Sequence, residues 1–274
     1  MHPVLFHVSY LGIERPIYSY GVMVLLGMAA ALITACARAP RRGIDRFDMF
    51  AFGALCITGG LAGGWILYLA VHGHWRAVLA APLDAFRATG IGMVFYGGFI
   101  GAAGAGLWYA RRYALPLAPL ADLTAPSLAL GHALGRIGCF LGGCCFGRPT
   151  QASLGVMFFD EQTAAGALCR RGGPLHPVQL YEAAGLLGIA WILLLVERPL
   201  LRRAQGLVFT AYLLLYAVLR LGTEQFRGDP AERGQLIPGL ATSEALALVM
   251  IALGVALLAR IRRARGSSAS DAPG

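Results

Sequence analysis

The chain has 274 residues, of which 57% are hydrophobic and 14% charged, with a mean hydropathy of +0.64. Globular chains carry about 25% charged residues, so there is too little polar material here to coat a soluble enzyme of this size. Disorder and collagen-like repetition are excluded with it. The formal net charge is +9 and all 23 basic residues are Arg. No basic run is interleaved with stacking aromatics, so the excess is read as topological flanking charge and contact with anionic lipid, with no nucleic-acid partner.

The hydropathy pattern predicts an all-α, polytopic membrane protein with about seven transmembrane helices. Uncharged runs at 17–37, 49–71 and 88–110 are each long enough to span a bilayer. A fourth span, 117–138, is interrupted by Pro119, Asp122 and Pro126 and is expected to kink. Further spans follow at 178–196, 205–223 and 240–259. Arginines cluster after the first, third, fifth and seventh spans, which puts those ends in the cytoplasm, the N-terminus outside and the C-terminus inside. No removable signal peptide is read at the N-terminus. Residues 1–265 are expected to form a single integral membrane domain, followed by a disordered polar tail at 266–274.

With this topology the intramembrane polar residues sort by leaflet. Tyr18, Tyr20, Tyr96, His132, Arg136, His176, Gln179, Tyr181, Glu182, Arg220, Glu224 and Glu244 fall toward the outer ends of their spans, and only Asp122 falls toward an inner end. Any one of them reads as an ordinary interfacial residue reaching for water. Together they predict a polar cavity open to the outer leaflet, because charges inside a bilayer face partners or water.

Three segments carry the candidate chemistry. Arg136 lies between glycines in Gly135-Arg136-Ile137-Gly138, where backbone can approach a ligand and a guanidinium can fork onto a phosphate. Arg220 and Glu224 are four apart on one helix face, which Arg227 is expected to continue. His176-Pro177-Val178-Gln179-Leu180-Tyr181-Glu182 has a proline suited to a first helical turn, with Glu182 one turn inside and able to accept from an arginine. Small residues in Tyr96-Gly97-Gly98-Phe99-Ile100-Gly101 suit close helix packing.

In order and spacing, these segments resemble the prolipoprotein diacylglyceryl transferase family. Tyr20-Gly21 and Gly97-Gly98 also fit, and the resemblance runs from about Tyr18 to Arg263. It implies transfer of the diacylglyceryl group of phosphatidylglycerol to the lipobox cysteine thiol of a preprolipoprotein, with glycerol phosphate released. It also implies a multi-pass enzyme of the bacterial cytoplasmic (inner) membrane, in contact with membrane lipids and with the signal-peptide region of its protein substrate. The expected catalytic residues are Arg136, Arg220, Glu224, Tyr20, Tyr96 and Cys139. The expected substrate-binding residues are Arg136, Gly138, Gly147, His176, Gln179, Tyr181, Glu182 and Arg227. No cofactor or metal is assigned. The chain departs from the family pattern where Tyr96 stands in place of the usual histidine. Cys139, Gly142 and Cys144 stand in place of two asparagines and a glutamate, and Ser243-Glu244 replaces Gly-Gln.

The cysteines leave other chemistry open. Cys139, Cys144 and Cys145 form a C-x4-C-C cluster, with Cys169 further on. Soft ligands of this kind could bind zinc, although the spacing is not that of a zinc finger. They could also form a disulfide outside the cytoplasm, or include a thiol that takes the lipid covalently. His132, one turn before Arg136, is the nearest substitute for the missing base, against the plainer reading of a packed interfacial histidine. Two rival functions stand beside the transferase. One is a divergent transferase or thiol-dependent enzyme with another acceptor, and the other is a non-enzymatic phospholipid-binding protein.

Overall fold

The computed structural model describes residues 3–10, 13–73, 93–228, 235–237 and 240–270. Among them, eight helices dominate: α1 (Ser19–Arg38), α2 (Arg46–Val71), α3 (Phe95–Arg112), α4 (Leu117–Gly142), α5 (Ala164–Gly172), α6 (Val178–Arg203), α7 (Leu207–Glu224) and α8 (Thr242–Ser270). Five helical stretches are long and apolar enough to cross a membrane: Ser19–Arg42, Arg46–Val71, Val178–Glu197, Leu207–Glu224 and Thr242–Ala264. Helices α3 and α4 have comparable length, at 18 and 26 residues, but dilute their apolar content with glycine and polar residues. The start of the predicted third span, 88–92, lies outside the described residues, as do 271–274 of the predicted tail. Helix α8 runs on to Ser270, five residues into that tail.

The structure is mostly helical, as the hydropathy pattern predicts, with two short strand pairs accompanying the helices. Strands β1 (Val4–Tyr10) and β2 (Ile13–Tyr18) pair antiparallel, so Tyr18 ends a hairpin and does not open a span. Strands β3 (Gln235–Ile237) and β4 (Leu240–Ala241) make a second small pair before α8. Glu244 then reaches back to accept from the Ala241 N–H at 2.9 Å, closing the first turn of α8.

The chain divides into two compact units, 1–31 with 121–274 and 32–120. In the second unit α2 and α3 pack through glycines. A Cβ on Gly59 would lie 2.6 Å from that of Ala105 and 2.8 Å from the Gly101 carbonyl oxygen. The backbones approach this closely only because no side chain stands between them.

The first unit holds a three-helix core. Helix α4 contributes Ala125, Ala129 and Ala133, α6 contributes Leu186, Ile189, Ala190 and Leu193, and α7 contributes Val208, Tyr212 and Leu213, all buried. Each set recurs at three- and four-residue intervals, the period of one helix face. Alanine on α4 lets its neighbours come close. Pro126 sits inside α4 and the helix runs through it.

Asp122 explains how α7 begins. Its carboxylate accepts the backbone N–H groups of Gly206 at 2.7 Å and Phe209 at 2.9 Å. The residue before α7, Gly206, has no side chain to cap with, so a fully buried carboxylate from another helix does so. Asp122→Ala is expected to destabilise the protein by about 1–3 kcal/mol, since buried amides lose their acceptors. A lowered thermal unfolding midpoint in detergent checks this, and an unchanged midpoint would contradict it.

Candidate active site

The buried faces of α4, α6 and α7 turn polar at one end. On α4 the alanine stripe leads to His132 and Arg136; on α6, Leu186 is preceded one turn earlier by Glu182; on α7, Tyr212 is followed by Tyr216, Arg220 and Glu224. Asp122 lies at the opposite end, fourteen residues or about 20 Å along α4. The pattern that buries the core therefore also carries ionisable groups to one place.

Glu182 is the centre of that place and is fully buried. Its Oε1 lies 3.0 Å from Arg136 Nη2 and its Oε2 lies 3.9 Å from Arg220 Nη1. The Tyr216 hydroxyl donates to Oε1 at 3.3 Å. Arg220 also meets Glu224 at 2.7 Å, the expected one-turn pair. His132 Nε2 stands 3.7 Å from Glu182 Oε1, with its ring edge-on to Tyr216. Arg136 and Arg220, 84 residues apart in sequence, thus share one carboxylate. Arg136 Nε and Arg220 Nη1 are buried and make no hydrogen bond among the described residues. Tyr216 joins the cluster although it is not among the expected site residues, and so does His132, the substitute base weighed from the sequence. The signal for Tyr216 was its position four residues before Arg220.

Beside this cluster the chain leaves α4 through a turn built on Gly143. With φ at +69°, Gly143 takes the left-handed conformation that favours glycine. Its N–H donates to the Phe140 carbonyl at 3.3 Å, and the Cys144 N–H donates to the Cys139 carbonyl at 3.2 Å. This helix-ending turn folds Cys144 back over Cys139. The sulfurs of Cys139, Cys144 and Cys145 all lie within 4.8 Å of one another. Gln179 fixes the turn, with its Nε2 donating to the Cys144 carbonyl at 2.6 Å. Hydrogen bonds within the trio, from Cys139 and then Cys144, pull the Cys145 thiol well below its ordinary range, and Arg136 and Arg227 act in the same sense. The corresponding bonds with Cys139 and Cys145 push Cys144 up. Cys169 belongs elsewhere, buried with Phe146, Phe158 and Leu175, its sulfur accepting the Phe158 N–H at 3.3 Å.

The loop continues into an irregular layer. Gly147 pairs with Arg227, its N–H donates to the His176 carbonyl at 3.0 Å, and the Arg148 N–H donates to the Phe226 carbonyl at 2.9 Å. A Cβ on Gly147 would meet His176 at 2.5 Å, so close packing of protein on protein requires glycine there. His176 Nδ1 lies 3.2 Å from the Tyr181 hydroxyl, and both rings pack edge-on to Phe226.

Two further expectations change in detail. Arg227 does not continue the α7 face, because α7 ends at Glu224 and the Arg227 N–H closes a turn on the Glu224 carbonyl at 3.2 Å. Its buried side chain starts instead from the strand-like segment paired with Gly147. Gly138 gives α1 room to approach, since a Cβ there would lie 2.9 Å from Met23 Cβ and 3.3 Å from the Tyr20 carbonyl oxygen. Tyr20 is thereby held next to the last turns of α4. Tyr96 opens α3 in the other unit and is exposed.

The prolipoprotein diacylglyceryl transferase family matches residues 3–260. A Clostridium tetani protein named phosphatidylglycerol–prolipoprotein diacylglyceryl transferase is 36% identical over 255 residues, 93% of this chain and 96% of its own length. A Clostridium perfringens protein of that name is 33% identical over 250 residues (91% and 93%), and a Geobacter sulfurreducens one is 32% identical over 267 residues (95% of each). A match running through every helix of the site, with relatives of this identity over their whole length, makes the chain a member of the prolipoprotein diacylglyceryl transferase family.

Proposed function

We propose that this protein moves the diacylglyceryl group of phosphatidylglycerol onto the lipobox cysteine thiol of a preprolipoprotein and releases glycerol phosphate. The observation that carries the reading is the pair of buried guanidiniums gathered on Glu182, each with an N–H still free of any hydrogen bond among the described residues. A buried unpaired donor costs about 1–3 kcal/mol, more when charged, and a phosphodiester oxygen would recover that cost.

The reaction is a displacement at the glycerol carbon that bears the phosphate. The acceptor thiol gives up its proton to water, its sulfur forms the new C–S bond, and the C–O bond breaks with its electron pair going to the phosphate oxygen. Charge accumulates on the leaving phosphate, so preorganised cations accelerate the step. Arg136 and Arg220 hold the phosphate. Glu182 and Glu224 are positioning residues that set the two guanidinium planes. Tyr20, held beside the last turns of α4, hydrogen-bonds the head group or the incoming sulfur. Gln179 holds the loop over the site, and Arg227 adds positive charge beside the thiols. His176 and Tyr181, with Gly147 paired to Arg227, support the loop against which the substrate lies; Gly138 keeps Tyr20 close.

The proposed setting is the bacterial cytoplasmic (inner) membrane, with seven spans in a single membrane body, the N-terminus outside and the C-terminus inside. The polar end of α4, α6 and α7 then faces the outer leaflet, where the signal-peptide region of the acceptor protein and the surrounding lipids reach it. The test is rescue. In cells depleted of their own diacylglyceryl transferase, this gene is expected to restore the mass of one diacylglyceryl group on a reporter lipoprotein. Stable membrane expression with no added mass would overturn the reading in favour of a transferase with another acceptor.

A further inference from the structure

Three thiols within 4.8 Å of one another at the edge of a phosphate-binding site are not needed by the mechanism above. In a tetrahedral zinc site each Zn–S bond is about 2.3 Å, which sets the sulfurs roughly 3.8 Å apart. The trio's limit of 4.8 Å is within about 1 Å of that spacing. Two of the three ligands lie in a turn already fixed, by the Gly143 helix ending and by Gln179 on the Cys144 carbonyl. The third, Cys139, stands on α4 one turn after Arg136. Among the described residues no fourth His, Cys, Asp or Glu joins the group. Three protein ligands and one vacant position describe a cation site open to a substrate, whereas structural sites close with four.

We propose that Cys139, Cys144 and Cys145 bind a thiophilic divalent cation, zinc by its ligand softness, and that the vacant fourth position receives the acceptor cysteine of the lipidation reaction. This rests on the transferase reading above. The acceptor S–H binds the cation as thiolate, its proton passing to water. That sulfur then attacks the glycerol carbon, the C–O bond breaks, and glycerol phosphate departs with the electron pair. The product thioether is a neutral, weaker ligand and leaves. No electron is gained or lost. Three thiolates and one divalent cation carry a net charge of −1, and Arg136 and Arg227 stand where they offset it. The cation thereby supplies thiol activation without a base.

The test uses the full chain, reduced, stripped with chelator and held in detergent, in a Cys36→Ser/Cys56→Ser background so that the thiols of α1 and α2 do not contribute. Cobalt(II) is titrated as the probe. The expected result is one cobalt per chain, with sulfur-to-cobalt charge-transfer absorption, displaced by zinc. Cys144→Ser alone should weaken binding by about 100-fold, and Cys139→Ser/Cys144→Ser/Cys145→Ser should abolish the band, with helical circular dichroism reporting that both remain folded. A synthetic lipobox peptide should shift the cobalt spectrum, and its Cys→Ser analogue should not. No charge-transfer band in the folded background protein, or an equal band in the triple variant, overturns the site. Full-rate lipid transfer by the metal-free chain overturns the activation step while leaving the transferase reading intact. A zinc-loaded chain that binds the peptide thiol yet transfers no lipid overturns the transferase reading while leaving the site.

Discussion

Arg136→Ala is expected to lower diacylglyceryl transfer by at least about 100-fold, the loss seen when one preorganised donor to a developing anion is removed. The substitution also leaves the fully buried Glu182 without its 3.0 Å partner. Breaking one side of a buried ion pair costs about 3–5 kcal/mol, so part of the loss could come from unfolding. Arg136→Lys separates the two effects. It keeps the charge that satisfies Glu182 but loses the planar fork that grips a phosphate. Its thermal midpoint should lie close to that of the unaltered protein while its transfer rate stays at least about 10-fold down. The check is product formation with phosphatidylglycerol and a lipobox substrate, alongside unfolding in detergent. A lysine variant with full activity would show that Arg136 only balances Glu182.

Glu182→Gln is expected to cost more than Glu224→Gln, although sequence spacing alone marks Glu224 as the partner of Arg220. Glu182 lies against two guanidiniums and a tyrosine hydroxyl and so bridges Arg136 to Arg220, whereas Glu224 meets Arg220 at 2.7 Å within its own helix. A hydrogen bond to a charged group contributes about 1.5–3 kcal/mol, a factor of roughly 10–100 for each one misaligned. Glu182→Gln should therefore reduce kcat by about 100-fold or more, and Glu224→Gln by about 10-fold. Because the carboxylates orient the arginines, the loss should fall on kcat more than on KM for lipid. Equal effects of the two variants, or a loss confined to stability, would remove Glu182 from the centre of the site.

Much of this arrangement was legible in the sequence. Apart from α3, the apolar runs located the starts of the long helices within about three residues, because a bilayer demands about twenty apolar positions in a row whatever their neighbours; α6 and α8 run on past the predicted ends, to Arg203 and Ser270. The one-turn spacing of Arg220 and Glu224 located their ion pair, because helix geometry is local. Arg136 and Glu182 stood out as charges in apolar surroundings. The N-terminal hairpin was less visible. Its strands of 7 and 6 residues are short, and one contains Pro16, so they did not stand out against the long apolar runs. Arg227 was placed on a helix face because its spacing fitted, but α7 stops at Glu224 and the chain turns to pair with Gly147.

Composition and local period by themselves determined that this chain is a helical membrane protein, which residues share a helix face, and which charged groups are too costly to sit idle in a bilayer. Tertiary structure alone decided that Glu182 joins Arg136 to Arg220, that Asp122 caps a helix 84 residues further on, and that three cysteines meet. The reason is that relative helix register depends on how small and large side chains interlock along α4, α6 and α7. A glycine turn, moreover, decides where the chain points once a helix has ended. Neither is encoded in any one window of residues.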